Sequence, residues 1–312
     1  MKIFITGAHG YIGRFLVDDL SERGHDVVAH GRRRPVENDF DRPIMGYAHG
    51  DLSSAPGLDS ALTGCDAVIH CAARLRASKL ELFHQDNVEA TGRLLKLAET
   101  AGVPRFIHMS SVVVYGRHAH EGTEEDAERF ADDDPYALSK IKAEDLCMRA
   151  EKTDVTVLRP GLVWGGAFDT RFTGRLVALL EKGQCLYPGP CNTPMPFTHI
   201  ENLAHAVVRV LEGERHGPRA YNITDGSDNS FRDFVERLAE SRGLAMPHLG
   251  IPLKLVNPLV SLVWKTAQTV GLGEQLPLNP IYLQLLNTPA VYSIERARDE
   301  LGYAPVEYEH MA

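Results

Sequence analysis

A chain of 312 residues and 34.5 kDa is longer than one small domain needs and shorter than three would occupy. Hydrophobic residues at 44% and charged residues at 24% lie near the globular average, which excludes a disordered or collagen-like chain. With 33 Lys and Arg against 42 Asp and Glu, the net charge is −9 and the pI about 5.9, without the basic footprint of a nucleic-acid binder.

The apolar start MKIFITG breaks at glycine, and Asp18 and Asp19 follow, so it does not read as a secretory signal. Cysteines 65, 71, 147, 185 and 191 are odd in number and form no CxxC pair. Reduced thiols and a cytoplasmic location are therefore expected, without a disulfide framework or a zinc site. His118 and His120 lie in a polar loop without a helical i, i+4 pair, and no metal is expected.

Short β-branched runs alternate with helical patterns through the first half. Strands are predicted at 2–6, 26–30, 44–49, 67–71, 105–110 and 155–159, with amphipathic helices over 11–24, 86–102 and 135–152. That rhythm specifies an α/β fold, a doubly wound parallel sheet with helices on both faces. After residue 160 come a Pro/Gly-rich loop at 188–196, a helix near 200–213 and a strand at 220–224. Residues 226–312 are mostly helical pattern broken by prolines. The predicted division is a dinucleotide-binding domain over 1–160, with 197–225 contributing, and a smaller, mostly helical substrate lobe from 161–196 and 226–312.

The segment TGAHGYIG places Gly7, Gly10 and Gly13, with Tyr11 and Ile12 between them, where the first strand gives way to the first helix. Glycines there let the backbone turn tightly against a pyrophosphate seated on the helix N-terminus, so a dinucleotide is expected. The second strand ends Gly31-Arg32-Arg33-Arg34. Without an acid for the ribose 2′-hydroxyl, and with Arg32 able to meet a 2′-phosphate, NADP is expected over NAD.

In YALSK, Tyr136 and Lys140 share a helix face, and Asp134 and Pro135 supply a cap and a first helical residue. A nearby ammonium favours the phenolate form of a tyrosine, fitting it for proton exchange near neutral pH. Ser110 and Ser111 follow the fifth strand at its carboxyl end, where α/β sheets bind ligands.

The G-x-x-G-x-x-G spacing together with YALSK resembles the extended short-chain dehydrogenase/reductases, a Rossmann-type family that includes the epimerases and dehydratases. Further segments match in chain order and span about half the chain. Asp51-Leu52 resembles the pair that contacts adenine. Cys71, Ala72 and Ala73, in HCAA, resemble the segment beneath the cofactor. Asn87 matches an asparagine that stabilises the central sheet. Pro160 and Val163, in RPGLVWG, resemble the loop at the nicotinamide amide. Aligned on Tyr115-Gly116, Ser111 takes the position that holds the substrate oxygen, and Ser110 a structural one. The resemblance also implies a homodimer through helices near 87–101 and 136–151.

Within that family, PMPFTHIENLAHA at 194–206 has Met195 where sugar-nucleotide enzymes commonly carry a phosphate-binding arginine. Together with Asn202, it is more similar to the 3β-hydroxysteroid and sterol-4-carboxylate dehydrogenases. The expected function is an NADP(H)-dependent oxidoreductase interconverting a secondary alcohol and a ketone on a largely apolar small molecule. A nucleotide-sugar epimerase or dehydratase with tightly bound NAD is the alternative. Arg74 and Arg76 are candidates to meet a substrate carboxylate. Segment 249–272, apolar on nearly every helical face, is expected to bury itself in the small lobe, over the substrate, or against a membrane surface or second subunit. Residues 121–134 hold a local charge of −7 and are expected to be solvated at the mouth of the site.

Overall fold

The computed structural model describes every residue except 37, 38, 55, 56, 78, 119–121, 270–282, 284 and 308–312. A seven-stranded sheet forms its centre. Its strands in chain order are β1 (Lys2–Thr6), β2 (Asp26–Gly31), β3 (Gly46–His49), β4 (Ala67–His70), β5 (Arg105–Met109), β6 (Asp154–Pro160) and, later in the chain, β10 (Arg219–Ile223). Every pairing in it is parallel, in the order β10-β6-β5-β4-β1-β2-β3. The winding reverses between β1 and β4, and that switch point opens a crevice at the strands' carboxyl ends.

Alternation along the strands feeds two cores. On one face Ile3, Ile5, Ala29, Ile69 and Ile107 meet helices α1 (Tyr11–Glu22) and α7 (Ile200–Glu212). On the other, Phe4, Val28, Val68, Phe106 and Val157 meet α2 (Leu58–Leu62), α4 (Ala90–Thr100) and Cys147 of α5 (Pro135–Cys147). Strands buried on both sides carry the near-continuous apolar runs that the sequence shows.

A third core lies outside the sheet. Trp164, Met195, Phe197, Phe231 and Phe234 pack with α6 (Thr173–Glu181) and α8 (Phe231–Ser241), and α8 is capped by Ser230 and Asp233. Short parallel pairs tie it together: β7 (Leu162–Trp164) with β9 (Phe197–His199), and β8 (Tyr187–Pro188) with β11 (Gly250–Ile251).

Several expectations are corrected. The third strand begins only at Gly46, where pairing with Val28 starts, although Met45 N already donates to Val27 O at 2.8 Å. The helix predicted at 86–102 is preceded by a π-helical stretch, His84–Glu89, which joins the short α3 (Leu80–Phe83) to α4. The acidic loop is not simply solvated: Glu125 is buried, its carboxylate accepting from Asn222 N at 2.8 Å, and Asp134 caps α5. The small lobe covers only one side of the described part of segment 249–272. The helix α9 (Leu253–Thr269) turns Leu255, Leu259 and Leu262 to solvent, while Val256 packs inward. Residues 270–272 of that segment and His120 lie outside the described residues, as does the side chain of His118. Among the described residues no helix is long and apolar enough to cross a membrane.

Candidate active site

The glycine segment stands at the switch point. Gly7 has φ +69°, and a Cβ on it would stand 2.8 Å from Ala72 N. A Cβ on Gly13 would come within 2.2 Å of Gly7 O, so both positions exclude any side chain. Gly10 N donates to Gly7 O at 2.8 Å and closes the turn. No side chain caps the first turn of α1, leaving its amides for an anion. A bare backbone cradle opening on an uncapped helix is what a dinucleotide pyrophosphate requires, and the residues present fit it.

A buried relay fixes the far wall of this cradle. Ala72 N donates to Thr6 Oγ1 at 3.1 Å, and Thr6 Oγ1 lies 2.7 Å from His70 Nδ1. His70 Nε2 lies 2.9 Å from Thr91 Oγ1, which donates to Asn87 O at 2.6 Å. With its donors read in that direction, the chain requires a neutral imidazole carrying its proton on Nε2. Burial agrees, pushing His70 down to about 3. His30, Thr6, His70 and His108 form one row across the sheet; burial also lowers His30 to about 4 and holds His108 well below the ordinary histidine value.

Asn87 works differently from expectation. Its carboxamide accepts from Arg74 N at 2.6 Å and donates to Arg74 O at 3.0 Å and Ser139 Oγ at 2.8 Å. It fastens the loop after β4 to α5 rather than to a strand. The π-helical stretch brings it there, a common use of that irregularity.

α5 begins as predicted, with Pro135 in its first turn and Asp134 Oδ1 accepting from Tyr136 N at 2.9 Å. Tyr136 and Ser111 are half-buried and Lys140 is buried. Lys140 Nζ donates to Met109 O at 2.7 Å and stands 5.9 Å from the centre of the Tyr136 ring. The ammonium is thereby attached to the strand end that carries Ser111, two residues on. Ser111 Oγ accepts from Val113 N at 3.3 Å, fixing it in the turn after β5. Cys71 lies within electrostatic reach of Lys140, and burial pushes its thiol up to about 12, so it is a neutral neighbour.

Burial holds Lys140 down at about 8, against the pull of Glu144 in the other direction. At pH 7 the folded and the unfolded chain both carry this proton, and the folded chain bears the full cost of burying the charge. Above pH 8 the folded chain releases it first, so the cost fades and is gone above 10.5. Lys140→Met removes that cost at every pH. The wild type is therefore expected to gain stability on the variant between pH 8 and 10.5, by at most about 3 kcal/mol. Melting curves of both proteins at pH 7 and at pH 10 check this; a constant difference contradicts it.

The remaining predicted residues are less uniformly gathered. Tyr11 Oη donates to Gly165 O at 2.6 Å, tying α1 to the loop after β7, and Ile12 packs on the first core. Asp51 accepts from Ser53 N and Oγ, and those bonds hold its carboxyl low. Leu52 is buried in the second core, and its carbonyl accepts from Arg93 Nη1 at 2.6 Å. Ala73 is exposed, Pro160 is buried opposite Ile223, and Val163 is half-buried in β7. Arg32 Nη1 meets Asp86 at 3.2 Å, and Arg74 meets the same carboxylate at 2.7 Å. Arg74 is thus already occupied, and Arg76 is exposed.

Sequence reading missed a buried polar network behind Ser111. Glu144 is fully buried and accepts from Ser110 Oγ, Arg159 Nε at 3.0 Å and Nη2 at 2.6 Å, and Arg129 Nη1 at 3.1 Å. Arg159 Nη1 reaches Tyr115 Oη at 2.7 Å, whose hydroxyl donates to Asn222 Oδ1 at 2.7 Å. A signal existed: Glu144 lies one helical turn beyond Lys140, on the same face.

A family model described as the NAD dependent epimerase/dehydratase family matches residues 3–224. The chain is 30% identical to the 2-alkyl-3-oxoalkanoate reductase of Stenotrophomonas maltophilia, over 98% of this chain and 95% of that one. It is 27% identical to the decarboxylating sterol-4-alpha-carboxylate 3-dehydrogenase of Homo sapiens, over 97% of this chain and 83% of that one. The solved UDP-glucuronic acid 4-epimerase of Bacillus cereus, in complex with UDP-glucuronic acid and NAD, superposes with a TM-score of 0.76. It is 20% identical, over 99% of this chain and 95% of that one, a likeness of fold.

Proposed function

The chain belongs to the NAD-dependent epimerase/dehydratase family, and from that premise we propose that it is an NADP(H)-preferring oxidoreductase of a secondary alcohol or ketone on a largely apolar molecule. The observation that carries this reading is the fate of Met195. Where the sugar-nucleotide members commonly hold a phosphate with arginine, this side chain is 6% exposed and packed in the third core with Phe197 and Phe234. A buried thioether offers a diphosphate no charge and no donor.

In this reading the bound cofactor supplies or takes up the hydride. Tyr136 moves the proton on the substrate oxygen, Ser111 Oγ–H holds that oxygen, and Lys140 keeps a positive charge beside the tyrosine ring. The substrates for which these two relatives are named both carry a carboxylate on the carbon next to the reacting one. Alkyl-substituted 3-oxo acids are accordingly the first substrates to assay, followed by neutral apolar ketones. Oxidation of NADPH by these compounds is the expected result. Turnover of UDP-sugars without net cofactor oxidation, with NAD retained through purification, would overturn the reading. The exposed Leu138 on α5 supports a dimer seam along α4 and α5.

The NADP preference rests on the end of β2. A Cβ on Gly31 would come within 2.5 Å of Tyr47 Oη and 2.7 Å of His9 Nδ1, so no acid fits there without moving both. Asp39, which does lie at this end, is bound by Arg33 at 2.7 and 2.8 Å and by Val36 N at 2.6 Å. Arg32, 62% exposed, is the guanidinium a 2′-phosphate would draw from Asp86. Arg32→Ala is expected to weaken NADPH binding about tenfold and NADH binding little, the scale of one charge-assisted contact. Fluorescence titration of both cofactors decides; an unchanged ratio removes the assignment.

A further inference from the structure

The described molecule has one concentrated apolar exposure. Leu249, Leu255, Leu259 and Leu262 are each more than six-tenths exposed, and Ile251 and Val263 adjoin them. On α9, at about 100° per residue, Leu255, Leu259 and Leu262 fall within an arc of about 60°. Lys254 and Lys265 stand together on the flank of that arc, and both are exposed. The opposite side holds the helix to the small lobe: Val256 is buried, and Leu253 lies against Gly189. The outward leucines therefore do not serve the fold, and a patch of this kind is uncommon on a surface that meets only water.

Charge identifies what covers it. Residues 241–273 contain no Asp or Glu and carry Arg242, Lys254 and Lys265, a net +3 in a chain of net −9. In a two-fold dimer the patch would face its own image, lysines against lysines, and an apolar substrate would not require that local inversion. An apolar strip edged by lysines and cleared of acids matches a surface with hydrocarbon below and negative charge above. We propose that α9 with the preceding segment 249–252 docks the protein on an anionic lipid bilayer, the leucines entering the interface and the lysines meeting headgroups.

The test is vesicle flotation of the full chain without cofactor or substrate, so its outcome is independent of the catalytic reading. Vesicles of phosphatidylcholine with a minority of phosphatidylglycerol are expected to carry the wild type upward at physiological salt. Pure phosphatidylcholine is expected to bind at least about tenfold more weakly. The combined variant Leu255→Glu, Leu259→Glu, Leu262→Glu is expected to stay at the bottom with unchanged circular dichroism. Lys254→Gln with Lys265→Gln is expected to bind about tenfold more weakly and with less salt dependence. A wild type that does not float with anionic vesicles overturns the proposal, as does a leucine variant that still floats. Two further results overturn it by identifying another occupant. One is dissociation of an oligomer by the leucine variant in sedimentation equilibrium, and the other is a raised KM for a water-soluble ketone in a leucine variant that still floats.

Discussion

Tyr136→Phe is expected to lower turnover by about 10²–10⁴-fold, the usual contribution of one positioned acid or base, while cofactor affinity stays as it was. The substitution removes one oxygen and little else. The Asp134 cap accepts from the backbone N of residue 136, and Ser139 Oγ donates to its backbone O at 2.7 Å, so both bonds survive in the variant. The phenyl ring keeps its place beside Lys140. Nothing in the glycine cradle of Gly7, Gly10 and Gly13 depends on the hydroxyl. Loss should therefore fall on kcat, read in single-turnover absorbance traces, with NADPH binding by fluorescence as the control. A variant that turns over at the wild-type rate would remove Tyr136 from proton transfer and with it the proposed mechanism.

Legibility in the sequence followed how local the determining physics was. Gly7 and Gly13 were readable because a turn against Ala72 and Gly7 O admits no Cβ, and only glycine satisfies that. The start of α5 was readable because its cap and proline lie within three residues of Tyr136. The sheet was readable because strands buried on both faces cannot hide their apolar runs. By contrast, the partners of Asn87 are 13 and 52 residues away, and the π-helical stretch that aims it leaves no mark in periodicity. The acidic loop looked like a solvated charge run because Arg296, which binds Asp126 at 2.6 Å, is 170 residues distant. α9 looked as though it must be buried because apolar residues surround it. Periodicity reports that a face is apolar and does not report what covers it.

Glu144→Gln is expected to cost about 3–5 kcal/mol of folding stability, as removing one partner of a buried ion pair does. Its carboxylate is fully buried, and Arg159, 3% exposed, has no water to turn to when that charge is lost. Burial alone would lower the guanidinium's pKa; the hydrogen bonds and charge of Glu144 outweigh it and leave the net shift upward. Arg159→Met is expected to cost a similar amount, somewhat eased because Arg129 still meets Glu144. The double variant removes both charges and should cost clearly less than the sum of the two, since neither is left alone in the interior. Urea unfolding of the four proteins measures the coupling, and additive effects, or single losses below about 1 kcal/mol, would mean the pair is not coupled as drawn. The same network reaches chemistry through Ser110 and Tyr115, which bracket the turn carrying Ser111. Loosening it should lower kcat under conditions where the variant remains folded, while leaving the cofactor cradle at β1 intact. Unchanged NADPH affinity beside a reduced kcat is the signature expected when Ser111, the proposed holder of the substrate oxygen, has lost its mount.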